Sequence, residues 1–369
     1  MSKAFLDMRS KYIPVQSNYG YSRWIHWWKP DSPYYYPYVL VNIEQEGNDN
    51  IREKFELSND VQLFRDSGGF QVITGTCKLN KWDSLTKQIK TGANKLFAFD
   101  TPPVKQIAPN VYSQIEGDEY YKILESNFKI ALEQSNFLKE HFPERLKDFY
   151  FVLHAKDKLS LDFNMNLIKE TCGDFKKDFG GVCYSIKKDN IFTFGEFCTH
   201  ARINFEDKGI PAHFLGASGS FKMIYMIKER ISTFDSTAVL YGLKRNVIYI
   251  PIATNRRISN PRDEPLFDKQ YCDCPACSRP EYYPKEEYLY VVHNLYAKLR
   301  ENLFLCGIKE SKYNETVIDI YNLKDEKKEV FEYMDMIKKD GFEEAQHIYR
   351  HSISKESKST QKSVWDMMT

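Results

Sequence analysis

The chain has 369 residues, more than an average domain and enough for one α/β barrel of about 250 residues with insertions. Its 42% hydrophobic content supplies a sizeable core, and 52 Lys and Arg against 51 Asp and Glu leave no global basic field, so a nucleic-acid partner must be held by a local patch. No apolar run approaches the roughly 20 residues that span a bilayer, and the opening MSKAFLDMRSKY is too polar for a signal peptide, so a soluble, cytoplasmic protein with no membrane partner is expected.

Taken in chain order, the first segment is rich in Trp and Tyr. Its prolines predict an irregular, extended lead-in that ends in a strand at 38–43. Short β-branched or aromatic runs then follow at 61–64, 96–99, 149–153, 180–184, 212–215, 231–234 and 247–252. Helical spacing separates several of them. The clearest case is 119–140, where Tyr120, Ile123, Leu124, Phe128, Ile130, Ala131 and Phe137 make a broad apolar stripe; 158–170 and 220–230 are weaker. After residue 252 the alternation stops, and a cysteine cluster, a helical run at 286–302 and a charged helical segment at 325–349 follow. A Ser/Lys-rich stretch near the end reads as a flexible tail. The implied organisation is a barrel over 1–245, a zinc-binding subdomain over 246–306, C-terminal helices packed on the barrel over 307–351, and a tail over 352–369.

Alternating helices and near-continuous apolar strands indicate a parallel sheet covered on both faces. Doubly wound sheets and closed barrels both fit. The polar residues decide between them: Asp66, Asp100, His154, Gly181, Leu215, Gly216 and Asp235 each fall at or just past the end of a predicted strand. An open sheet gathers its site at one switch point, whereas a barrel gathers residues from many strands at its C-terminal rim. The expected fold is therefore an α/β (β/α)8 TIM-type barrel.

Eight cysteines are too few for a disulfide scaffold in a chain of this length, yet Cys272, Cys274 and Cys277 lie within six positions. A tight loop can place three thiolates on one tetrahedral ion, with His293 as the fourth ligand and Cys306 as its rival. A closed site of this composition is structural Zn2+, whose binding contributes directly to folding. The remaining cysteines, Cys77, Cys172, Cys183 and Cys198, read as ordinary thiols.

DSGGFQ at 66–71, Phe99-Asp100, Gly180-Gly181, HFLGASG at 213–219, Phe234-Asp235-Ser236, the CxCxxC run and His293-Asn294-Leu295 occur in one order. In that order they resemble the tRNA-guanine transglycosylase superfamily over roughly residues 60–305. The resemblance implies a zinc-containing (β/α)8 barrel that exchanges a guanine in a polynucleotide for a 7-deazaguanine. It implies that Asp235 captures C1′ of the sugar and that Asp66 is the general acid/base. Asp100 would bind the N1/N2 edge of the base, Gly181 would offer its N–H to O6, and Phe70 and Leu215 would sandwich the ring. Ser67, Gln71, Gly216 and His154, whose imidazole can hydrogen-bond O6 or N7 of the base, complete the substrate-binding set. The chemistry asks for such a set independently. Breaking an N-glycosidic bond builds cationic character at C1′, which one carboxylate can capture while a second acid protonates the departing base. The two need unlike environments, and the target nucleotide must leave its stack.

The chain departs from the tRNA enzymes in three places. His154 stands where a base-reading Gln is usual, Asp100 is followed by Thr101-Pro102-Pro103 instead of an acidic partner, and both the lead-in and the spacing from the metal cysteines to the histidine differ. These features resemble the DNA-guanine branch of phages and bacterial modification islands, which inserts a base such as preQ0. DNA is accordingly favoured over tRNA as partner, with a tRNA transglycosylase or a catalytically silent nucleic-acid binder as alternatives. Lys244, Arg245, Arg256, Arg257 and Arg262, with no acidic residue among them, form a local basic patch suited to phosphates. A homodimer or a helicase-like partner is a further expectation.

Overall fold

Eight parallel strands close on themselves in this computed structural model, which describes residues 8–16, 27–32, 35–42, 51–108, 111–186, 190–217, 219–236, 239, 247–249, 256–257, 274–278 and 286–350. In chain order the strands are β1 (Lys11–Gln16), β2 (Tyr38–Val41), β3 (Gln62–Arg65), β4 (Lys95–Phe97), the hairpin β5 (Val104–Ala108) and β6 (Val111–Gln114), then β7 (Phe149–Ala155), β8 (Gly181–Ile186), β9 (Ala212–Phe214) and β10 (Thr233–Ser236). The barrel runs β1-β10-β9-β8-β7-β4-β3-β2 and is closed by β1, which pairs Ile13 with Asp235 on one side and Val15 with Leu40 on the other. This is the (β/α)8 TIM-type architecture expected from the alternation.

Two strand assignments change. The eighth barrel strand is Lys11–Gln16, not 247–252. Pro14 and the polar Lys11 and Gln16 mask it in sequence, but Tyr12, Ile13 and Val15 are buried and its neighbours on both sides supply the ladder. Val247–Ile248 (β11) instead pairs antiparallel with Arg256–Arg257 (β12), outside the barrel. The aromatic lead-in is a turn where it is described, and its rings are core. Trp27 and Trp28 are buried edge to face at 4.8 Å, and their indole N–H groups donate to the Tyr38 and Phe55 carbonyls. Tyr36 donates its hydroxyl to the Tyr12 carbonyl at 2.7 Å, which fastens this layer to β1.

The strand with the strongest sequence signal, FYFVLHA in β7, is buried at every position, as a parallel strand covered on both faces must be. The helix predicted at 119–140 runs Gly117–His141, and the next, Lys158–Thr171, starts with a reciprocal cap between Asp157 and Ser160. The helix Glu286–Gly307 packs on β1 and on the helix Ser220–Lys228, the place of the eighth barrel helix. Outside the barrel, the helix Asp325–Asp340 lies against Ile191–Asn204. Gly195 permits that approach, because a Cβ there would sit 2.9 Å from Val330 and 3.1 Å from Met334. The segment predicted as one helix over 325–349 breaks at Gly341, whose φ is 93°, and resumes over 342–350. Among the described residues no helix is long and apolar enough to cross a membrane.

Candidate active site

The DSGG turn is shaped by the neighbouring loop rather than by open space for a ligand. β3 ends at Arg65, Gly68 adopts φ 84°, and the chain enters the short helix Gly69–Ile73. A Cβ on Gly69 would lie 2.0 Å from the Asp100 carbonyl oxygen, so only glycine lets the loop after β3 press on the loop after β4. That contact brings Ser67 Oγ to 2.6 Å from Asp100 Oδ1. From β7, His154 Nε2 reaches Asp100 Oδ2 at 2.8 Å. Both oxygens of Asp100 therefore have a protein partner, and each keeps lone-pair capacity for another donor. His154, expected to read a base directly, acts on Asp100 through this nitrogen.

Asp66 has a different environment. It is half-buried, with Asn42 Nδ2 at 3.3 Å from Oδ2. Burial, then the charges of Asp100 and Asp235, push its carboxyl up from 3.8 to about 7, against the pull of the Ser67 and Gly68 amides. The three carboxyls thus lie within electrostatic reach of one another at the C-terminal mouth of the barrel.

Asp235, on β10, is buried, and its Oδ1 accepts the Gly216 N–H at 2.8 Å. The same oxygen lies 3.2 Å from Nε2 of His213, whose Nδ1 is 2.9 Å from Thr233 Oγ1. The sequence places His213 in a motif without giving it a role; its position as the polar residue of the short apolar run from Ala212 to Leu215 is the signal that could have found it. Leu215 is half-buried, with its N–H on the Tyr184 carbonyl, and Gly216 is spent on holding Asp235. Phe70 remains 45% exposed beside Tyr112 of the hairpin, their centroids 5.3 Å apart, so a flat apolar face is open at the rim. Gln71 is half-buried, and among the described residues no hydrogen bond reaches its buried Oε1.

Gly181 does not belong to this rim. It is the first residue of β8 and pairs with Tyr150 near the start of β7, at the opposite end of the barrel. Its missing side chain makes room for the Tyr150 ring, 2.6 Å from where a Cβ would be, so the glycine is a packing device. The C-terminal end of β8 is Tyr184-Ser185-Ile186, with Ser185 opposite His154.

The Cys/His group is built from the segment 274–278 and the helix Glu286–Gly307. Cys274, Cys277 and His293 are buried with ligand atoms all within 4.8 Å of one another, a set that could hold a metal ion. Both sulfurs lie 3.4 Å from His293 Nδ1. His293 Nε2 is 2.9 Å from the Tyr249 carbonyl, which can only accept, so the proton sits on Nε2 and Nδ1 is left as ligand. Asn294 Oδ1 accepts the Tyr249 N–H at 3.0 Å. The His-Asn pair therefore clamps the segment after β11 to the helix Glu286–Gly307. Cys306, the alternative fourth ligand, is elsewhere, with its thiol on the Ser10 carbonyl at 3.5 Å. Cys272 lies outside the described residues, as do Lys244, Arg245 and Arg262; of Arg256 and Arg257 only the backbone, in β12, is described.

No protein-family model and no curated protein matches this chain.

Proposed function

We propose that this protein is a base-exchange transglycosylase that replaces guanine in a polynucleotide, DNA before tRNA, with a 7-deazaguanine such as preQ0. The observation that supports it most is the unlike treatment of the carboxyls at one barrel mouth. Asp235 accepts the Gly216 N–H on an oxygen that also faces His213 Nε2, an arrangement that suits a nucleophile that must be ionised. Asp66 is pushed to about 7 and suits a group that delivers a proton to the departing base and takes one from the incoming base near neutral pH.

In this reading Asp235 attacks C1′, the bond from C1′ to the guanine nitrogen breaks, and Asp66 supplies the proton. Asp100, set by Ser67 and His154, accepts the N–H edge of the base. Phe70 and Leu215 cover the ring faces, and Phe70 offsets part of the unstacking of the flipped nucleotide. Cys274, Cys277 and His293, with Cys272 as the sequence suggests, would hold a structural Zn2+ that would fix the fold next to β11 without entering the exchange. Phosphates pass along the basic segment from Lys244 to Arg262.

The test offers labelled guanine and labelled preQ0 to the purified protein with duplex DNA or with tRNA. Label is expected in DNA, and Asp235→Ala is expected to abolish it. Label entering tRNA alone favours the tRNA enzyme. Exchange that survives Asp235→Ala removes Asp235 as nucleophile, and no exchange with any polymer leaves a nucleic-acid binder.

A further inference from the structure

We infer that His213 determines which oxygen of Asp235 attacks the sugar and makes that carboxylate a better leaving group, an inference that rests on the transglycosylase reading above. His213 is fully buried, its ring centroid 5.6 Å from that of Phe64 and 5.2 Å from that of Phe97. A buried imidazole needs partners for both nitrogens, and Thr233 and Asp235 supply them. An ionised carboxylate only accepts, so the proton between His213 and Asp235 sits on Nε2. In the neutral ring Nδ1 is then the acceptor, and the Thr233 hydroxyl is its donor.

The Gly216 N–H and the His213 Nε2–H converge on Oδ1, and among the described residues no hydrogen bond reaches Oδ2. Oδ2 is the free nucleophile. In the first half-reaction an Oδ2 lone pair forms the bond to C1′. The C1′–N bond breaks with its electron pair going to the guanine, which takes its proton from Asp66. Oδ1 becomes the carbonyl oxygen of a neutral ester. In the second half-reaction the incoming base gives its N–H proton to Asp66 and its nitrogen lone pair to C1′, while the C1′–Oδ2 bond returns its electrons to the carboxylate.

Hydrogen bonds to an ionised acceptor are roughly twice as strong as those between neutral groups, so both donors favour the free carboxylate over the ester. Gly216 is backbone and fixed. His213 is the side chain that sets how readily Asp235 departs, a positioning residue that never touches the base.

The experiment follows the full-length protein with guanine-containing DNA or tRNA, reading turnover together with the covalent protein–nucleic acid adduct trapped on a denaturing gel. His213→Phe keeps a ring between Phe64 and Phe97 but removes the donor. Its ratio of adduct to free protein is expected to rise about tenfold, the scale of one hydrogen bond to a charged group, while kcat and KM fall together. His213→Gln restores a donor and brings the ratio back toward wild type. Thr233→Val frees the tautomer and shifts the ratio the same way by less. Adduct and turnover falling together in His213→Phe, or an unchanged ratio in both His213→Phe and Thr233→Val, overturns the inference and leaves transglycosylation intact. A wild type that forms no adduct and exchanges no base overturns both.

Discussion

Replacing Asp66 with Asn should stabilise the protein in alkaline solution while removing exchange. The carboxyl titrates at 3.8 when free and about 7 in the fold, raised first by burial and then by its acidic neighbours. Between those two values the folded chain keeps a proton that the unfolded chain has lost, so stability falls as pH climbs through this window. Above the folded value the difference is fully developed, about 4 kcal/mol at 1.36 kcal/mol per pH unit. Below 3.8 it is absent. Asn carries no charge and escapes this dependence, and it keeps a polar group for Asn42. Urea denaturation of wild type and Asp66→Asn, run at steps from pH 4 to pH 8, should show a gap that opens with pH and levels off near 8. A gap of equal size at pH 5 and pH 8 would refute the environment assigned to Asp66. Exchange by wild type should decline above pH 7 as the acid form is lost, and a variant that gains stability while losing activity marks a group kept for function.

How much of this was legible beforehand depended on whether a residue's role lay in its own segment or in a neighbour's. FYFVLHA announces a covered strand because β7 is aromatic and aliphatic but for His154 near its end, and the apolar stripe from Tyr120 onward announces its helix. Asp66, Asp100 and Asp235 were legible as strand-end residues because Asp100 and Asp235 follow their runs directly and Asp66 follows its run after Arg65. β1 was missed because its burial comes from closing the barrel between β10 and β2, a long-range event that Lys11 and Pro14 give no local hint of. Gly181 was misplaced because two glycines before VCYSI look like a rim turn, whereas β8 begins there and the Tyr150 ring needs the space. His213 went unassigned for a related reason: its meaning lies in Asp235, on the adjacent strand, and in Thr233 beneath it. The cysteine spacing pointed to the metal cluster, and the structure joins His293 to Cys274 and Cys277; the Tyr249 carbonyl that sets the tautomer of His293 had no sequence signature at all.

Three further outcomes are expected. Ser67→Ala removes the donor 2.6 Å from Asp100 and should raise KM for the incoming base more than it lowers kcat; an unchanged KM would show that this oxygen is not used in base capture. Gly69→Ala drives a methyl into the Asp100 carbonyl and should lower stability by about 3 kcal/mol in denaturant titrations, with exchange lost, whereas a variant as stable as wild type would contradict the packing of the two loops. The metal cluster gives the third. Cys274, Cys277 and His293 are buried together, and the Tyr249 carbonyl already commits His293 to presenting Nδ1. Two thiols and an imidazole whose ligand atoms all lie within 4.8 Å of one another should bind one zinc per chain, and cobalt in its place should show the intense visible bands of a tetrahedral thiolate site. Because His293 and Asn294 tie Tyr249 to the helix that covers β1, chelation or Cys274→Ser should lower the denaturation midpoint and raise hydrogen exchange around 247–249 before it reaches β7. A protein that copurifies without metal, and whose midpoint is the same in Cys274→Ser, would mean that these three side chains are packing partners only.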